Sequence, residues 1–236
     1  FCFLAVMLSG VEAFAQQIPL SSQYTINKFF LSPAYAGAGE GFEVFGTYRN
    51  EWMNIPGAPE TRMVSANGTI CKNMGLGGSI TSQQAGIFEN LSASASYAYH
   101  VKLSRGHAIS FGLGAGLLES RLNLAGTGAD ANDPMVANNA DVNAMVLDAS
   151  FGFLYRFKGI NAGFSVPRML TSKMKNDDGT KIFMLSPHYR GQVGYAVSFN
   201  DDWSIDPAIL ISISENAPVF YEVGVPVVYK KRIWIS

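Results

Sequence analysis

The sequence has no run of roughly 20 apolar residues, although 48% of its residues are hydrophobic. A membrane-spanning helix needs such a run, so the sequence excludes a helical membrane protein. Charge is also scarce, because only 15% of the residues are charged and 17 basic residues are balanced by 18 acidic ones. No basic field is available to hold a phosphate backbone, and we expect no nucleic-acid partner.

Cysteine and histidine are nearly absent. Of the 2 cysteines, Cys2 lies in a segment that we expect to be cleaved, which leaves Cys71 without a partner for an intrachain disulfide. The 3 histidines are too scattered for a zinc motif. Nucleophile-elbow and phosphate-loop motifs are missing as well. The sequence therefore predicts no enzymatic activity, no cofactor and no metal site.

The first 15 residues resemble the end of a signal peptide. Residues 1–15 are mostly apolar and close on Ala13-Phe14-Ala15, the small-x-small pattern that precedes a cleavage site. A buried N-terminal helix or strand is less favoured because Gly10 and Glu12 interrupt the apolar run. Since no initiator Met or basic region precedes the run, we expect the sequence to begin inside a precursor, and we expect the mature protein to be exported.

Most of the remaining sequence alternates between two kinds of residue with a period of two, which is the period of a β-strand. In residues 109–117 one parity is apolar throughout, while the other consists of Ser110, Gly112, Gly114 and Gly116. Glycines on one parity leave that face of the strand thin, so that a plug or other contents of the lumen can approach it. Eleven such segments are predicted: 42–52, 61–70, 74–82, 91–101, 109–117, 145–156, 160–166, 189–199, 203–214, 220–229 and 232 onward.

A soluble β-sandwich alternates too, so alternation alone does not identify the fold. Two further features favour a membrane barrel. Aromatic residues lie near strand ends on the apolar parity, as in the girdles of outer-membrane barrels: Tyr97, Tyr99, Tyr155, Phe199, Trp203, Tyr221 and Tyr229. The opposite parity is small and polar, as a lumen requires, and it carries the charges of Asp148, Arg156, Asp206 and Glu222.

Short and long connections between the predicted strands alternate strictly. The short ones are 71–73, 102–106, 157–159, 200–202 and 230–231, and the longer ones are 50–60, 83–87, 125–143, 167–188 and 214–219. This pattern predicts an all-β fold, an antiparallel up-and-down transmembrane β-barrel of the outer-membrane type with short periplasmic turns. We expect residues 16–41 to form a periplasmic or plug segment and residues 42–236 to form the barrel. Because an open edge in lipid is unfavourable, a sequence that stops in mid-strand at Ser236 suggests a barrel truncated at its C-terminus.

Two motifs are more specific than this pattern. The first is Gln23-Tyr24-Thr25-Ile26-Asn27 followed by Leu31-Ser32-Pro33-Ala34-Tyr35-Ala36-Gly37, and the second is Tyr48-Arg49-Asn50-Glu51-Trp52 followed by Gly57-Ala58-Pro59-Glu60-Thr61. Over residues 23–61 the sequence closely resembles the PorP/SprF family of Bacteroidetes outer-membrane proteins. Ser32 and Glu51 stand where that family usually has Asn and often has Gln.

The resemblance implies an outer-membrane barrel associated with the type IX secretion system and gliding motility. Such proteins are thought to help secrete, or hold at the surface, very large adhesin-like proteins with a C-terminal sorting domain. The implied partners are outer-membrane lipid, periplasmic secretion or motility components, and the adhesin-like client. A passive or ligand-selective transport barrel for small solutes or lipids remains the alternative.

The motifs also supply the candidate partner or plug contacts, which are Tyr24, Asn27, Pro33, Tyr35, Arg49 and Trp52. The first four lie in a segment rich in aromatic and turn-forming residues, which is expected either to pack against a periplasmic partner or to fill the barrel. Arg49 and Trp52 are expected at the outer end of the first strand. There they would order a loop through a cation–π or backbone contact, or contact a client.

Overall fold

The computed structural model describes residues 27–39, 41–52, 54–123, 141–170, 173–175, 181–184, 187–200, 202–214, 217–230 and 233–235. Nearly all of them lie in strands: β1 (Phe42–Asn50), β2 (Glu60–Cys71), β3 (Met74–Ala85), β4 (Phe88–Lys102), β5 (His107–Asn123), β6 (Asp141–Phe157), β7 (Ile160–Arg168), β8 (Lys173–Lys175), β9 (Lys181–Met184), β10 (His188–Tyr195), β11 (Val197–Ser198), β12 (Trp203–Ile205), β13 (Ala208–Ser214), β14 (Ala217–Gly224), β15 (Val227–Tyr229) and β16 (Ile233–Ile235). Short 3₁₀ turns occupy Lys28–Phe30, Pro33–Tyr35 and Ser104–Gly106. Within these residues no helix combines the length and the apolar character needed to cross a membrane.

Ten strands form one antiparallel sheet in the order β1-β2-β3-β4-β5-β6-β7-β10-β13-β14. The strands of this sheet follow one another in chain order and pair antiparallel, with β8 and β9 lying between β7 and β10 in sequence and β11 and β12 between β10 and β13, so the predicted all-β, antiparallel up-and-down fold is confirmed. A second sheet has the order β11-β12-β15-β16 and continues the same meander, while β8 and β9 pair separately. In the described residues β1 and β14 remain the edges of the large sheet, which does not close on itself.

Two prolines explain why some predicted strands are divided. The predicted segment 203–214 is interrupted at Pro207, and the segment 220–229 is interrupted at Pro226. Proline has no N–H to donate to the ladder, so regular pairing stops at these positions. Their carbonyl oxygens still accept hydrogen bonds from the neighbouring strand, Pro207 O from Tyr195 N at 2.9 Å and Pro226 O from Asp206 N at 3.1 Å.

The prediction that short and long connections alternate strictly is wrong at two places. The predicted longer connection at 83–87 is only the turn 86–87, because β3 continues to Ala85 and β4 begins at Phe88. The connection at 214–219 shrinks in the same way to residues 215–216. At the first site Gln83 pairs with Asn90, so polar residues that resemble a loop in the sequence extend the ladder instead.

The two faces of the large sheet have opposite chemistry. On the exterior face Tyr97 is 39% exposed and Leu113 is 60% exposed, whereas Ser96 and Ser110 on the other face are 7% and 0% exposed. We call the face with the buried small and polar residues the interior face. A soluble β-sandwich buries its apolar face, but this sheet exposes it, as a strand in contact with lipid does.

The interior face is covered by the N-terminal part of the chain. Residues 27–39, which we call the inner segment, pack their 3₁₀ turn Pro33–Tyr35 against β4, β5 and β6. The main buried apolar cluster joins four residues of the inner segment to two of the sheet: Phe29, Ala34, Tyr35, Ala36, Ala98 and Leu154. Farther along, Leu31 packs against Leu210. The core therefore lies between the inner segment and the sheet.

Candidate functional site

The inner segment is shaped by its own short-range signals. Ser32 has an extended backbone, and its Oγ accepts a hydrogen bond from Ala34 N at 3.3 Å. Serine is a favoured N-cap, and Pro33 in the first turn needs no hydrogen-bond partner for its nitrogen. After the turn Gly37 adopts a φ of 64°, which a residue with a side chain rarely does. Asn would cap the turn as Ser32 does, so the departure from the family pattern preserves this geometry.

Glycines on the interior face let the inner segment lie directly on the sheet. A Cβ added at Gly75 would come within 2.0 Å of Ala36 O, and one at Gly112 would come within 2.2 Å of Ala34 N. Real Cβ atoms do not approach backbone atoms so closely, because side chains and backbone pack at van der Waals distances. At Gly75 and Gly112 the backbone of the inner segment therefore takes the space that a side chain would fill.

Side chains from the sheet hold the backbone of the inner segment at its C-terminal end. Asn67 Oδ1 accepts a hydrogen bond from Gly37 N at 3.0 Å, and Thr69 Oγ1 donates one to Gly37 O at 3.0 Å. His100 Nε2 lies 2.9 Å from Ala36 O and therefore donates to it. The inner segment belongs to no sheet, so these side chains supply the partners that its buried peptide groups require.

More distant strands hold the same backbone. Ser165 Oγ on β7 donates to Leu31 O at 2.8 Å, and Arg156 Nη1 on β6 donates to Ala38 O at 2.7 Å. The Arg156 bond is charge-assisted, and such bonds are about twice as strong as neutral ones. The inner segment is thus fixed to strands that lie far apart in the sheet.

Three side-chain contacts complete the attachment. Asn27 Nδ2 donates to Ser65 Oγ at 2.9 Å, and Lys28 Nζ forms an ion pair with Asp206 Oδ2 at 2.5 Å. The hydroxyl of Tyr35 accepts a hydrogen bond from Gln192 Nε2. Of the candidate contacts predicted from the sequence, Asn27, Pro33 and Tyr35 are buried here against the protein's own strands. Tyr24 lies outside the described residues.

Burial raises the pKa of Tyr35 above its usual range. The neutral hydroxyl is the form that the interior accepts, so we expect it to stabilise the inner segment fully below about pH 10, where unfolded tyrosine titrates. That contribution should be lost as the pH rises toward the pKa of the folded state. In an absorbance titration of phenolate, Tyr35→Phe should remove one tyrosine that titrates late and leave the others unchanged. Removal of a normally titrating tyrosine instead would show that Tyr35 is exposed to solvent.

Arg49 and Trp52 lie at the other predicted site, the loop between β1 and β2. Arg49 Nη2 pairs with Glu51 Oε1 at 2.7 Å, and Trp52 is 69% exposed with a φ of 55°. Backbone bonds order this loop, from Glu51 N to Pro59 O and from Gly86 N to Gly57 O, both at 2.9 Å. The cation–π contact beside the loop joins Arg62 to Tyr48. The large indole of Trp52 is therefore displayed on a loop with a defined backbone.

Sequence reasoning missed several residues that hold the interior together. Lys28 and His100 were not singled out, and neither was Arg190, which is only 8% exposed. The sequence does contain a signal for two of them. His100 and Arg190 occupy the parity of their strands that otherwise carries small and polar residues, and an isolated large polar residue is unusual there. Asp206, which was predicted to face the interior, does so and binds Lys28.

The part of the chain that the structure describes contains one free thiol and no cluster of metal ligands. No three His, Cys, Asp or Glu residues there are grouped to hold a metal ion. Cys71 is an exposed free thiol at the end of β2. The described polar contacts between the inner segment and the rest of the chain are hydrogen bonds and the ion pair of Lys28 with Asp206.

An antiparallel meander with an apolar exterior and a polar interior defines a membrane protein of the β-barrel class. The sequence profile described as "Type IX secretion system membrane protein PorP/SprF" matches residues 13–236. The chain belongs to this family, as the two N-terminal motifs predicted, and it is a membrane component of the type IX secretion system. This membership implies interaction with other components of that system.

The chain also has a similarity among solved structures. One that matches is titled "KdgM porin", with 13% sequence identity and a TM-score of 0.30, and the match covers 78% of this chain and 96% of the porin chain. No curated protein sequence matches the chain.

Proposed function

We propose that this protein is a non-enzymatic component of the outer membrane that helps secrete large proteins or hold them at the cell surface. Membership in the PorP/SprF family supports the secretion role. The observation that carries the finer proposal is the filled interior, because the inner segment occupies the face that a solute would have to pass. A barrel whose interior is filled by its own chain is better suited to holding a partner than to passing solutes.

The placement of the candidate residues suggests where partners bind. Pro33 and Tyr35 are buried against the sheet, so they are not available to a separate protein while the inner segment is in place. Trp52 is exposed on the loop 51–59, next to the exposed Ile55. Tryptophan is enriched among the few residues that contribute most of the binding energy at protein interfaces. We therefore assign client contact to the loop that carries Trp52, at the outer end of β1.

The proposal that the protein is not an enzyme is supported by the burial of Ser110 and His100, the pair that most resembles a catalytic one among the described residues. Ser110 Oγ and His100 Nδ1 are 2.7 Å apart, which is the distance of a nucleophile and its base. However, Ser110 is completely buried, and the other ring nitrogen of His100 donates to Ala36 O. His100 therefore holds the inner segment, and the buried hydroxyl of Ser110 is paired with His100, so neither group is open to a substrate while the inner segment is in place.

Replacing Trp52 tests the assignment of client contact. Trp52→Ala should leave the barrel folded but lower surface display of the client about tenfold, the usual effect of removing an interface tryptophan. Trp203→Ala is the matched control, because Trp203 is also exposed but lies beside the short connection at 199–202. Display is measured by antibody labelling of intact cells, and folding by heat-modifiable gel mobility. Equal display in both variants would contradict the assignment.

The transport alternative makes a different prediction. A transport barrel should conduct ions in planar bilayers, and a small ligand should block the current. The secretion proposal instead predicts that the protein co-purifies with periplasmic secretion or motility components and with a large client that carries a C-terminal sorting domain. Ligand-blocked conductance without such partners would overturn the proposal in favour of transport.

A further inference from the structure

A cavity with a mixed polar and apolar lining lies between the inner segment and the end of the sheet that carries the long connections. Its volume is about 150 Å³, enough for several water molecules. The inner segment forms the floor through residues 29–33, and residues of β3 to β7 and β10 form the walls. Hydroxyl groups dominate one wall, which carries Ser79, Thr81, Ser92, Ser94 and Ser96. The cavity is therefore suited to a small polar ligand.

Arg190 is the unusual residue of this cavity. It is only 8% exposed, and its Nε has no hydrogen-bond partner among the described residues. The guanidinium lies against the ring of Phe30, with 5.9 Å between Cζ and the ring centroid, so the inner segment supports it from below. A buried charge without a hydrogen-bonded partner is unfavourable, which makes an additional anion at this position favourable.

The protein's own carboxylates do not neutralise Arg190 by direct contact. Glu222 and Arg168 both act on it electrostatically, with opposite signs. Asp148 also lines the cavity, but its Oδ1 accepts a hydrogen bond from Ala149 N. Across the described residues no carboxylate oxygen lies within the 4.0 Å of an ion pair with Arg190 or Arg168. The cavity lining therefore carries two guanidinium groups and one carboxylate, a formal excess of one positive charge.

We propose that this cavity binds a carboxylate group, with Arg190 as its main ligand and Arg168 as a second cation. The planar guanidinium fork matches the two oxygens of a carboxylate. A single negative charge balances the formal excess of one positive charge in the lining, whereas a phosphate dianion would exceed it. The hydroxyl wall would then bind polar atoms next to the carboxylate. This inference does not depend on the proposed secretion role.

Two sources could supply the carboxylate, namely a free small acid or the C-terminus of a polypeptide. Binding is measured by saturation-transfer-difference NMR on the full-length protein in detergent. The probes are acetate, N-acetyl-trialanine with a free C-terminus, the same peptide as its C-terminal amide, and inorganic phosphate. Acetate and the peptide acid should bind, while the amide and phosphate should bind at least about tenfold more weakly. Tighter binding of the peptide acid than of acetate would assign the polypeptide source, and the reverse order would assign the free acid.

Substitutions at Arg190 test whether this residue binds the carboxylate. Arg190→Gln should weaken binding of the acids at least about tenfold, because it removes a charge-assisted hydrogen bond. Arg190→Lys should lose part of the affinity, since it keeps the charge without the fork. Arg121→Gln is the matched control, because Arg121 is exposed and pairs with Glu119 outside the cavity. Arg168→Gln provides a second test if Arg190→Gln lacks the heat-modifiable mobility of a folded barrel.

Three results would overturn the proposal. One is equal binding of the peptide acid and its amide. Another is tighter binding of phosphate than of acetate. The third is acid binding that is unchanged in folded variants of both Arg190 and Arg168. None of these results would bear on the secretion role, which is tested separately by client display and partner co-purification.

Discussion

Leu113→Arg should lower the free energy of unfolding by about 2–4 kcal/mol, which is the usual effect of an arginine at the lipid-facing midplane of a membrane barrel. Leu113 lies near the middle of β5 and is 60% exposed on the exterior face. If lipid covers this face, the new charge must leave water for hydrocarbon. Urea titration of the full-length protein in liposomes, followed by tryptophan fluorescence, measures the change.

Ile70→Arg is the matched control for this substitution. Ile70 is 56% exposed on the same sheet, but it lies beside the turn at residues 72–73, where the interface with water is expected. Its substitution should cost no more than about 1 kcal/mol. On a water-exposed sheet both variants would stay within about 0.5 kcal/mol of the wild type. That result would contradict the assignment of the exterior face to lipid.

The Gly75→Ala/Gly112→Ala double variant should expel the inner segment from the interior face. Each added Cβ would overlap backbone atoms of Ala36 or Ala34, and neither backbone can move away as a flexible side chain can. Overpacking of this kind costs about 1–3 kcal/mol at each site. Once displaced, Lys28 becomes a substrate for trypsin. Cleavage between Lys28 and Phe29, followed by mass spectrometry, should therefore become at least about tenfold faster.

A double variant with the same chemistry but free space provides the control. Nothing lies within 4 Å of a Cβ added at Gly46 or at Gly191, so Gly46→Ala/Gly191→Ala should leave cleavage at Lys28 unchanged. Heat-modifiable mobility confirms that the barrel persists in both variants. Equal protection of Lys28 in the two folded variants would mean that the inner segment does not lie on Gly75 and Gly112.

The strands could be predicted from the sequence because one face of each strand is apolar and the other is small or polar. Residues 109–117 illustrate this, since the predicted segment lies wholly inside β5 and Leu113 faces outward as its parity requires. The turn at 86–87 could not be predicted in the same way. Gln83 and Asn90 resemble loop residues, but they pair at the end of the sheet, where the interior is polar.

The interior contacts were only partly predictable. The glycine parity of β5 indicated a close approach at Gly112, because it left that face almost without side chains. The partners of the inner segment were not encoded locally, since Lys28 binds Asp206 across 178 positions of sequence. Such pairs depend on the register of every intervening strand, and a single residue of slippage would turn Asp206 to the other face.

The attachment of the inner segment has a consequence for the biogenesis of the protein. This segment precedes every strand of the sheet in the sequence, yet its anchors include Ser165 on β7 and Asp206 beside β13, which lie far later in the chain. Contacts of such long range make assembly slow, since chain entropy must be lost before they form. The inner segment therefore cannot complete its contacts until the strands that carry Ser165 and Asp206 are in place. Filling of the interior is thus expected to be a late step in the assembly of the sheet.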